Sequence, residues 1–296
     1  MRIALAGGSG FVGSALRRRW AAAGFEVVQL VRRPARGEGE AEWAPESGRI
    51  DLAKLRGCDA LVNLAGENIA GGRWTAVRQH RIRDSRVATT RLLAGTLAAG
   101  DWRPRVWINA SAVGFYGDGG DRWLDESAPP GTGFLASVCE DWEAATRPAE
   151  AAGVRIVRLR LGAVLDRSGG MLARLLPVFR AGLGGPIGGG HAWLSWISLR
   201  DLAAVVDECL TDSSLAGAVN AVAPEPVRNA EFVAALGRAL RRPAVLPLPA
   251  WVVRAVFGEM GRELLLAGQR VRPAVLLRGG QVFADPTIGA ALGRLG

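Results

Sequence analysis

The stretch INASAVGFYGDGG, residues 108–120, holds the residue types best suited to proton transfer. Tyr116 is the only tyrosine of the chain, and Ser111 precedes it in the same stretch. A hydroxyl can orient a reacting carbonyl, and a phenol can exchange a proton when its pKa is lowered. A tyrosine at a strand end can equally bury its ring, and a serine there can satisfy backbone groups. Ser111 and Tyr116 are therefore candidate catalytic residues, each with a structural alternative.

A glycine-rich turn opens the chain in the segment ALAGGSGFVGSAL. Its glycines follow a G-x-x-G-x-x-G pattern, directly after an apolar strand and before an amphipathic helix. Such a turn lets the backbone approach a pyrophosphate, while the helix N-terminus supplies N–H donors and partial positive charge. The pattern predicts a dinucleotide site that comprises Gly7, Gly8, Ser9, Gly10, Phe11, Val12 and Gly13.

The end of the second predicted strand, QLVRRP, indicates which dinucleotide would bind. Arg32 and Arg33 stand where NAD-binding proteins carry a carboxylate for the ribose hydroxyls. Because the guanidinium fork matches a 2′-phosphate, we expect the cofactor to be NADP(H). The alternative is a solvated pair of arginines at an exposed strand end.

Other segments border the expected crevice and supply candidate ligand contacts. Leu64, Ala65 and Gly66, after a further strand, are predicted to line the cofactor site, since loops at strand carboxyl ends do so in open sheets. Glu67 is either a substrate contact or a solvated loop residue. Candidate substrate contacts also include His191, on the glycine loop GGGHAW, and Trp196, on a short half-buried strand. Two roles are open for a further set of arginines, which either contact an anionic substrate or form ion pairs at the surface: Arg73, Arg83 and Arg86.

Strand and helix patterns alternate through the first half of the chain and predict a doubly wound parallel sheet with a Rossmann-like fold. Strands are expected at 59–66, 105–113, 155–165 and 218–224. Beyond residue 166, glycine and proline become frequent, which predicts a smaller C-terminal substrate lobe. We expect a cofactor domain at 1–165, rejoined by about 195–225, and a lobe at 166–296 with a distinct C-terminal domain at about 245–296.

Composition limits the classes of partner. The net charge is +9, but it comes from arginines scattered along predicted helices, so we expect no nucleic-acid partner. No apolar run is long enough to span a membrane. Cys58, Cys139 and Cys209 lie far apart without a metal-ligand spacing, so no metal site is expected, and a reducing, cytoplasmic location fits. We expect a small-molecule substrate and a monomer or homodimer.

Several motifs together resemble the extended branch of the short-chain dehydrogenase/reductases, and in particular the subgroup called epimerase family proteins. The motifs run in order along nearly the whole chain: GGSGFVG, LVRRP, NLAGENIAGGRWT, RDSRVATTRLL, ASAVGFYG, FLASVCEDWE, GGGHAWLSWISLRDLA and GEMGRELLLAGQRVRPAVL. The resemblance implies an NADP-binding Rossmann-like domain that carries Gly7, Gly10, Gly13 and Arg32. It also implies a substrate pocket between that domain and the C-terminal lobe.

The chain departs from the superfamily at its proton-transfer pair. That pair is Y-x-x-x-K on a helix, where the lysine lowers the tyrosine pKa and holds the nicotinamide ribose. The only lysine here is Lys54, and the expected helix, FLASVCEDWEAA, places Leu135 and Cys139, or Phe134 and Val138, at the two positions. Cys139 is either a reactive thiol or a small buried apolar residue.

Two functions are therefore open. The first is an NADP(H)-dependent oxidoreductase or epimerase-like enzyme, in which Ser111 orients a substrate oxygen and the proton comes from Tyr116, His191, a carboxylate or water. The second is a catalytically silent NADP(H) sensor or scaffold, which the missing pair favours.

Overall fold

A computed structural model of the chain describes residues 1–100 and 102–295. Gly296, the last residue of the expected C-terminal domain, lies outside the described residues. The strands in chain order are β1 (Arg2–Ala6), β2 (Glu26–Val31), β3 (Glu40–Ala44), β4 (Arg49–Ile50), β5 (Ala60–Asn63), β6 (Val106–Ala112), β7 (Trp123–Leu124), β8 (Arg155–Leu161), β9 (Ala163–Asp166), β10 (Trp193–Leu194), β11 (Trp196–Ser198), β12 (Gly217–Ala221), β13 (Val227–Arg228) and β14 (Arg270–Val271).

The helices in chain order are α1 (Phe11–Ala22), α2 (Leu52–Leu55), α3 (Ala76–Ala99), α4 (Phe134–Ala144), α5 (Arg147–Ala151), α6 (Gly170–Arg180), α7 (Leu199–Thr211), α8 (Asn229–Leu240), α9 (Ala250–Gly261), α10 (Ala274–Arg278) and α11 (Ile288–Leu292). Short 3-10 segments lie at Pro45–Ser47, Val113–Tyr116 (directly after β6) and Gly293–Leu295, and a π-helical turn, Arg262–Leu266, follows α9. No helix in the described ranges is long and apolar enough to cross a membrane.

Eight strands form the central sheet in the order β12-β8-β6-β5-β1-β2-β3-β4. Every neighbouring pair is parallel except β3 and β4. The strand order reverses at β1, since β2 lies on one side of it and β5 on the other. A crevice forms at this point, at the carboxyl ends of the strands. The Rossmann-like doubly wound fold predicted from the sequence is confirmed.

Helices cover both faces of the sheet. In β1, Ile3 and Leu5 point to the face covered by α1 and α7, whereas Ala4 and Ala6 point to the face covered by α3. Successive residues of a strand alternate between faces, so two buried faces require apolar residues at almost every position. This double burial explains why the first strand reads as an unbroken apolar run.

Two sequence expectations were wrong in detail. Residues 155–165 form two strands, because β8 ends before Gly162 and β9 leaves the main sheet to pair with β11. A Cβ at Gly162 would lie 2.8 Å from the Ser195 carbonyl oxygen, so only glycine allows this approach. The expected single strand around Trp193 and Trp196 is also divided, into β10 and β11, which belong to different small sheets.

The C-terminal segment is fastened to the rest of the molecule by buried polar contacts. The carboxylate of Asp201 in α7 accepts hydrogen bonds from the backbone N–H groups of Ala284 and Asp285, at 2.8 and 2.9 Å. Strand β14 pairs with β7, and the side-chain amide of Asn220 in β12 donates to the Arg272 carbonyl at 3.0 Å. The C-terminal segment therefore contacts β7, β12 and the first turn of α7.

Candidate functional site

The glycine turn between β1 and α1 is packed too closely for side chains. Gly7 has φ of 81°, and a Cβ there would lie 2.7 Å from the Leu64 carbonyl carbon. A Cβ on Gly13 would lie 2.2 Å from the Gly7 oxygen. Helix α1 begins at Phe11 with neither a side-chain cap nor an acidic residue in its first turn. Its first N–H groups are therefore free of side-chain partners, and this arrangement fits a bound pyrophosphate.

The other predicted residues of the turn surround this backbone. Ser9 and Gly10 are exposed, and Val12 is partly buried against the core. A Cβ on Gly8 would lie 3.1 Å from the Gln29 side chain. The Phe11 ring lies against Gly169, where a Cβ would approach its Cδ2 atom to 2.3 Å. The turn is thus closed on the protein side and open only toward solvent.

The two arginines after β2 have different environments. Arg33 forms a bidentate ion pair with Glu40, with N–O distances of 2.5 and 2.8 Å, and this pair lowers the pKa of Glu40 to about 2. Arg32 is half exposed and approaches Glu46 only to 3.8 Å. Of the two guanidinium groups, only that of Arg32 is free to bind a 2′-phosphate.

A buried amide network shapes the opposite wall of the crevice. The side chain of Asn63, at the end of β5, donates to Asn109 at 2.8 Å and to Thr90 at 3.1 Å, and accepts from the Ala65 N–H. This network fixes the turn at Leu64 and Ala65, which the exposed Gly66 follows. Sequence analysis missed Asn63 and Asn109, although polar residues inside apolar strands signal a buried network.

Ser111 belongs to a second buried network and presents no free hydroxyl. Its Oγ donates to Glu143 Oε1 at 2.7 Å, and the side chain is almost fully buried. Arg160 in β8 binds the same carboxylate through Nε and Nη2, at 2.8 and 2.9 Å. The expectation that Ser111 offers its hydroxyl to a substrate oxygen is thus corrected, because that hydrogen is already engaged with Glu143.

Tyr116 lies at the other end of this network. Its hydroxyl donates to Asn220 Oδ1 at 2.8 Å and accepts from Arg160 Nη1 at 2.9 Å, and its ring packs edge-on against Phe115. Burial raises the pKa of Tyr116 above its usual value despite the nearby Arg160 charge. A phenol with a raised pKa, buried and doubly hydrogen-bonded, is a poor proton donor, which favours the packing role over the catalytic one.

Helix α4, where the superfamily places its tyrosine and lysine, carries apolar residues on this side. A Cβ at Gly114 would lie 3.3 Å from the Leu135 Cβ, so the two residues pack closely. Burial raises the pKa of Cys139 to about 12, which rules out a thiolate near neutral pH. The helix has no side-chain cap of its own, and Glu263 accepts from the N–H groups of Phe134 and Leu135, at 2.8 and 2.9 Å.

A cavity of about 340 Å³ lies where α4 meets the C-terminal segment. Its walls combine the 114–118 and 132–135 backbone with side chains of the C-terminal segment, including Arg254, Arg262 and Glu263. Both Glu263 oxygens are used by α4, whereas Arg262 has only a 3.6 Å contact with Glu259. Arg254 has no ion pair within the described ranges. Asp118 also lines the cavity, so two arginines and two carboxylates face it, and Arg254 is its cation without a carboxylate partner in the described part of the chain.

A second, more open cavity of about 590 Å³ lies outside β10 and β14. Arg270 lies between the rings of Trp123 and Trp193, 4.0 and 4.4 Å from their centroids. Arg228 covers the other side of this arrangement, 4.2 Å from the Trp193 ring. These cation–π contacts hold the exposed Trp123 and the half-buried Trp193 in place.

The three predicted substrate contacts are dispersed. Trp196 is fully buried and its indole N–H donates to the Glu225 carbonyl, so the prediction that it contacts substrate was wrong: it has no surface to offer. His191 is exposed and lines neither cavity. Glu67 lies beside the crevice, 3.7 Å from Arg78 and 3.5 Å from Arg81. Of these three residues, only Glu67 therefore lies next to the expected cofactor site.

The fold and the glycine-lined crevice define the class as Rossmann-like nucleotide-binding proteins. A model of the NAD dependent epimerase/dehydratase family matches residues 3–221, and a model of a domain of unknown function matches residues 248–295. The chain belongs to the NAD dependent epimerase/dehydratase family, as the motifs predicted.

Similar proteins extend over the whole chain. An epimerase family protein of Mycobacterium bovis is 47% identical over 292 residues, which cover 98% of this chain and 96% of the relative. Human epimerase family protein SDR39U1 is 40% identical over 296 residues, covering 99% and 98%. The crystal structure of human SDR39U1 (isoform 2) with NADPH superimposes with a TM-score of 0.91 at 39% identity, over 99% of this chain and 98% of that one.

We predict that Arg160→Met destabilises the fold by about 3–5 kcal/mol, because it leaves the Glu143 carboxylate buried with Ser111 as its remaining partner. Urea unfolding followed by tryptophan fluorescence measures the loss. Arg105→Met, which removes a largely exposed arginine 3.9 Å from Asp59, is the control and should cost less than about 1 kcal/mol. Equal losses in the two variants would contradict the prediction.

We also predict that no thiol of the native protein reacts rapidly with Ellman's reagent at pH 8. Burial raises the pKa to about 11 for Cys58 and to about 12 for Cys139 and Cys209, so the thiolate is scarce and inaccessible. Unfolding in urea should expose all three cysteines of the chain to the reagent. A fast-reacting thiol in the native state would show that one of these sites opens.

Proposed function

We propose that the chain is an NADP(H)-dependent oxidoreductase or epimerase-like enzyme, acting on a small carbonyl, hydroxyl or sugar-like substrate that carries an anionic group. The observation that carries the cofactor assignment is the free guanidinium of Arg32 next to a closed glycine turn with an uncapped helix N-terminus. The human relative crystallised with NADPH supports the same cofactor.

In this proposal, Gly7, Gly8, Ser9, Gly10 and the first-turn N–H groups of Phe11, Val12 and Gly13 hold the pyrophosphate. Leu64, Ala65 and Gly66 border the nicotinamide side. Arg33 supports the 2′-phosphate site indirectly, because its pair with Glu40 holds the loop that carries Arg32. NADPH, when bound, would supply a hydride, and the protein would align the substrate with it.

The cavity beside α4 supports an enzyme. Arg254 and Arg262 would bind an anionic group of the substrate, and the nearby carboxylate of Asp118 has one oxygen that makes no hydrogen bond to the described part of the protein. We propose that Asp118, or water held by it, exchanges the proton. Ser111 and Tyr116 would then act as positioning residues through Glu143 and Arg160.

A second candidate is a catalytically silent NADP(H) sensor or scaffold. The observation that favours it is the engagement of both candidate catalytic hydroxyls, of Ser111 and Tyr116, in buried hydrogen bonds, together with apolar residues at the positions of the missing pair. In that case cofactor binding would bias the position of the C-terminal segment without turnover.

We predict that NADPH binds at least about tenfold more tightly than NADH, a difference of about 1.4 kcal/mol. Arg32→Ala should remove most of this preference by weakening NADPH alone. Arg36→Ala, in the same exposed loop, is the control and should leave the preference in place. Tryptophan fluorescence titration measures all affinities. Equal binding of both nucleotides by the wild type would contradict the 2′-phosphate site.

We predict NADPH oxidation with some members of a panel of carbonyl compounds. The compounds are tested in pairs, in which one member carries an anionic group and the other carries a neutral group at the same position. Arg254→Ala should raise KM about tenfold or more for the anionic form and leave the neutral form unchanged, because one charge-assisted contact is lost. Asp118→Asn should lower kcat. If NADPH binds tightly and no compound is reduced, the sensor is the better account.

A further inference from the structure

Arg86, in α3, occupies the space between the cofactor crevice and α4. A Cβ on Gly66 would lie 3.1 Å from the guanidinium carbon of Arg86, so the guanidinium forms the wall of the crevice at that glycine. On its other side the same carbon lies 5.3 Å from the ring centroid of Trp142 in α4. The guanidinium is thus placed between the loop that follows β5 and the helix from which the lysine is missing.

The charge of Arg86 acts on the position where that lysine would stand. Cys139, which takes the lysine position in one register of α4, lies one helical turn before Trp142. The contact with Trp142 therefore places the Arg86 guanidinium about one helical turn from that position, and its positive charge opposes the rise that burial causes in the Cys139 pKa. A cation approaches the lysine position from α3 instead of from α4.

Unlike its neighbours, Arg86 has no acidic partner. Arg83, on the preceding turn, pairs with Asp141 and Ser137, and Arg78 and Arg81 approach Glu67. No carboxylate of the described residues lies within 4 Å of the Arg86 guanidinium, which donates instead to the carbonyls of Ile82 and Glu67, at 3.0 and 2.9 Å.

The guanidinium also approaches Ser85 Oγ, 3.4 Å from Nη1, and these contacts orient it but use only part of it. Five N–H groups are present on an arginine, and the Nε–H of Arg86 makes no hydrogen bond to the described part of the protein. Burial lowers the pKa of Arg86, as expected for a charge held in a poorly solvated place. A fixed, half-buried cation with spare N–H groups can therefore donate to solvent or to a bound ligand.

We propose that Arg86 takes the place of the missing lysine, its spare N–H groups binding the hydroxyl groups of the nicotinamide ribose. The assignment rests on the proposed function, since it requires a dinucleotide in the crevice. The sugar on the nicotinamide side is the acceptor because the phosphates already have the glycine turn and Arg32, whereas the missing side chain at Gly66 lets the guanidinium lie against the crevice wall. Arg86 is thus a cofactor-binding residue on the reacting side.

The test compares two ligands that differ by the nicotinamide half. NADPH has both halves, and 2′,5′-ADP has only the adenosine half with its 2′-phosphate. Arg86→Met should weaken NADPH about tenfold or more and change 2′,5′-ADP by less than about twofold, because only the charge-assisted bonds to the second ribose are lost. Arg86→Lys, which restores the charge without the fork, should recover part of the NADPH affinity.

Arg91→Met removes an exposed arginine from the same helix and is the matched control, with no expected effect on either ligand. Thermal unfolding checks that the variants fold, and Arg86→Lys carries the test if Arg86→Met does not. Unchanged NADPH binding in the Arg86 variants, or an equal loss of both ligands, overturns the assignment to the nicotinamide ribose. If the wild type binds neither ligand, the proposed NADP(H) function has failed as well, and Arg86 loses its assigned partner.

Discussion

The buried ion pair between Glu143 and Arg160 connects more elements of the molecule than any single strand pairing does. The pair joins α4 to β8. Its carboxylate accepts a hydrogen bond from the Ser111 hydroxyl of β6, and its guanidinium donates one to the Tyr116 hydroxyl. Through Asn220 the network continues to β12 and the C-terminal segment. Since every charge in it is hydrogen-bonded, the cost of burial is offset, and the carboxyl edge of the sheet is held in one arrangement.

The polar groups engaged in this buried network and the cations without a carboxylate partner lie in different parts of the chain. The Ser111 hydroxyl at the end of β6 faces the internal carboxylate of Glu143, and the Tyr116 hydroxyl, in the turn that follows, binds Asn220 and Arg160. Cations without a carboxylate partner in the described residues lie outside that strand, at Arg86 in α3 and at Arg254 in α9. Under the proposed function, this arrangement keeps the nucleotide crevice of the fold and assigns the second ligand to the side of the C-terminal segment.

Much of the fold and the cofactor crevice could be predicted because they depend on local patterns. Glycines at fixed spacing after a strand, and apolar strands separated by amphipathic helices, have few structural solutions. The environments of Arg32 and Arg33 could not be predicted, since Glu40, which engages only one of them, lies on the next strand of the sheet. Trp196 was misjudged for the same kind of reason: its alternation with Ser195 indicated a half-exposed strand, but β9 and β11 pair beneath other elements and bury it.

The resemblance implied a pocket between the two domains, but the residues that line the cavity could not be predicted, because its walls come from segments far apart in the sequence. Gly114 and Leu135 belong to the family domain, whereas Arg254 and Glu263 belong to the C-terminal domain, and no spacing rule relates them. In the sequence, buried partners such as Asn63 and Asn109 appear only as polar residues within apolar strands, and nothing indicates which of them form hydrogen bonds with each other.

The capping of α4 by Glu263 has a consequence for how the protein is made. The residue that completes the first turn of this helix lies 129 positions further along the chain than Phe134. A ribosome synthesises the chain from its N-terminus, so the sheet and α4 emerge while the end of that helix still lacks its carboxylate. The first turn of α4 therefore receives its cap only after the segment that carries Glu263 has been made and has docked, and the cavity that these two elements line forms at the same step.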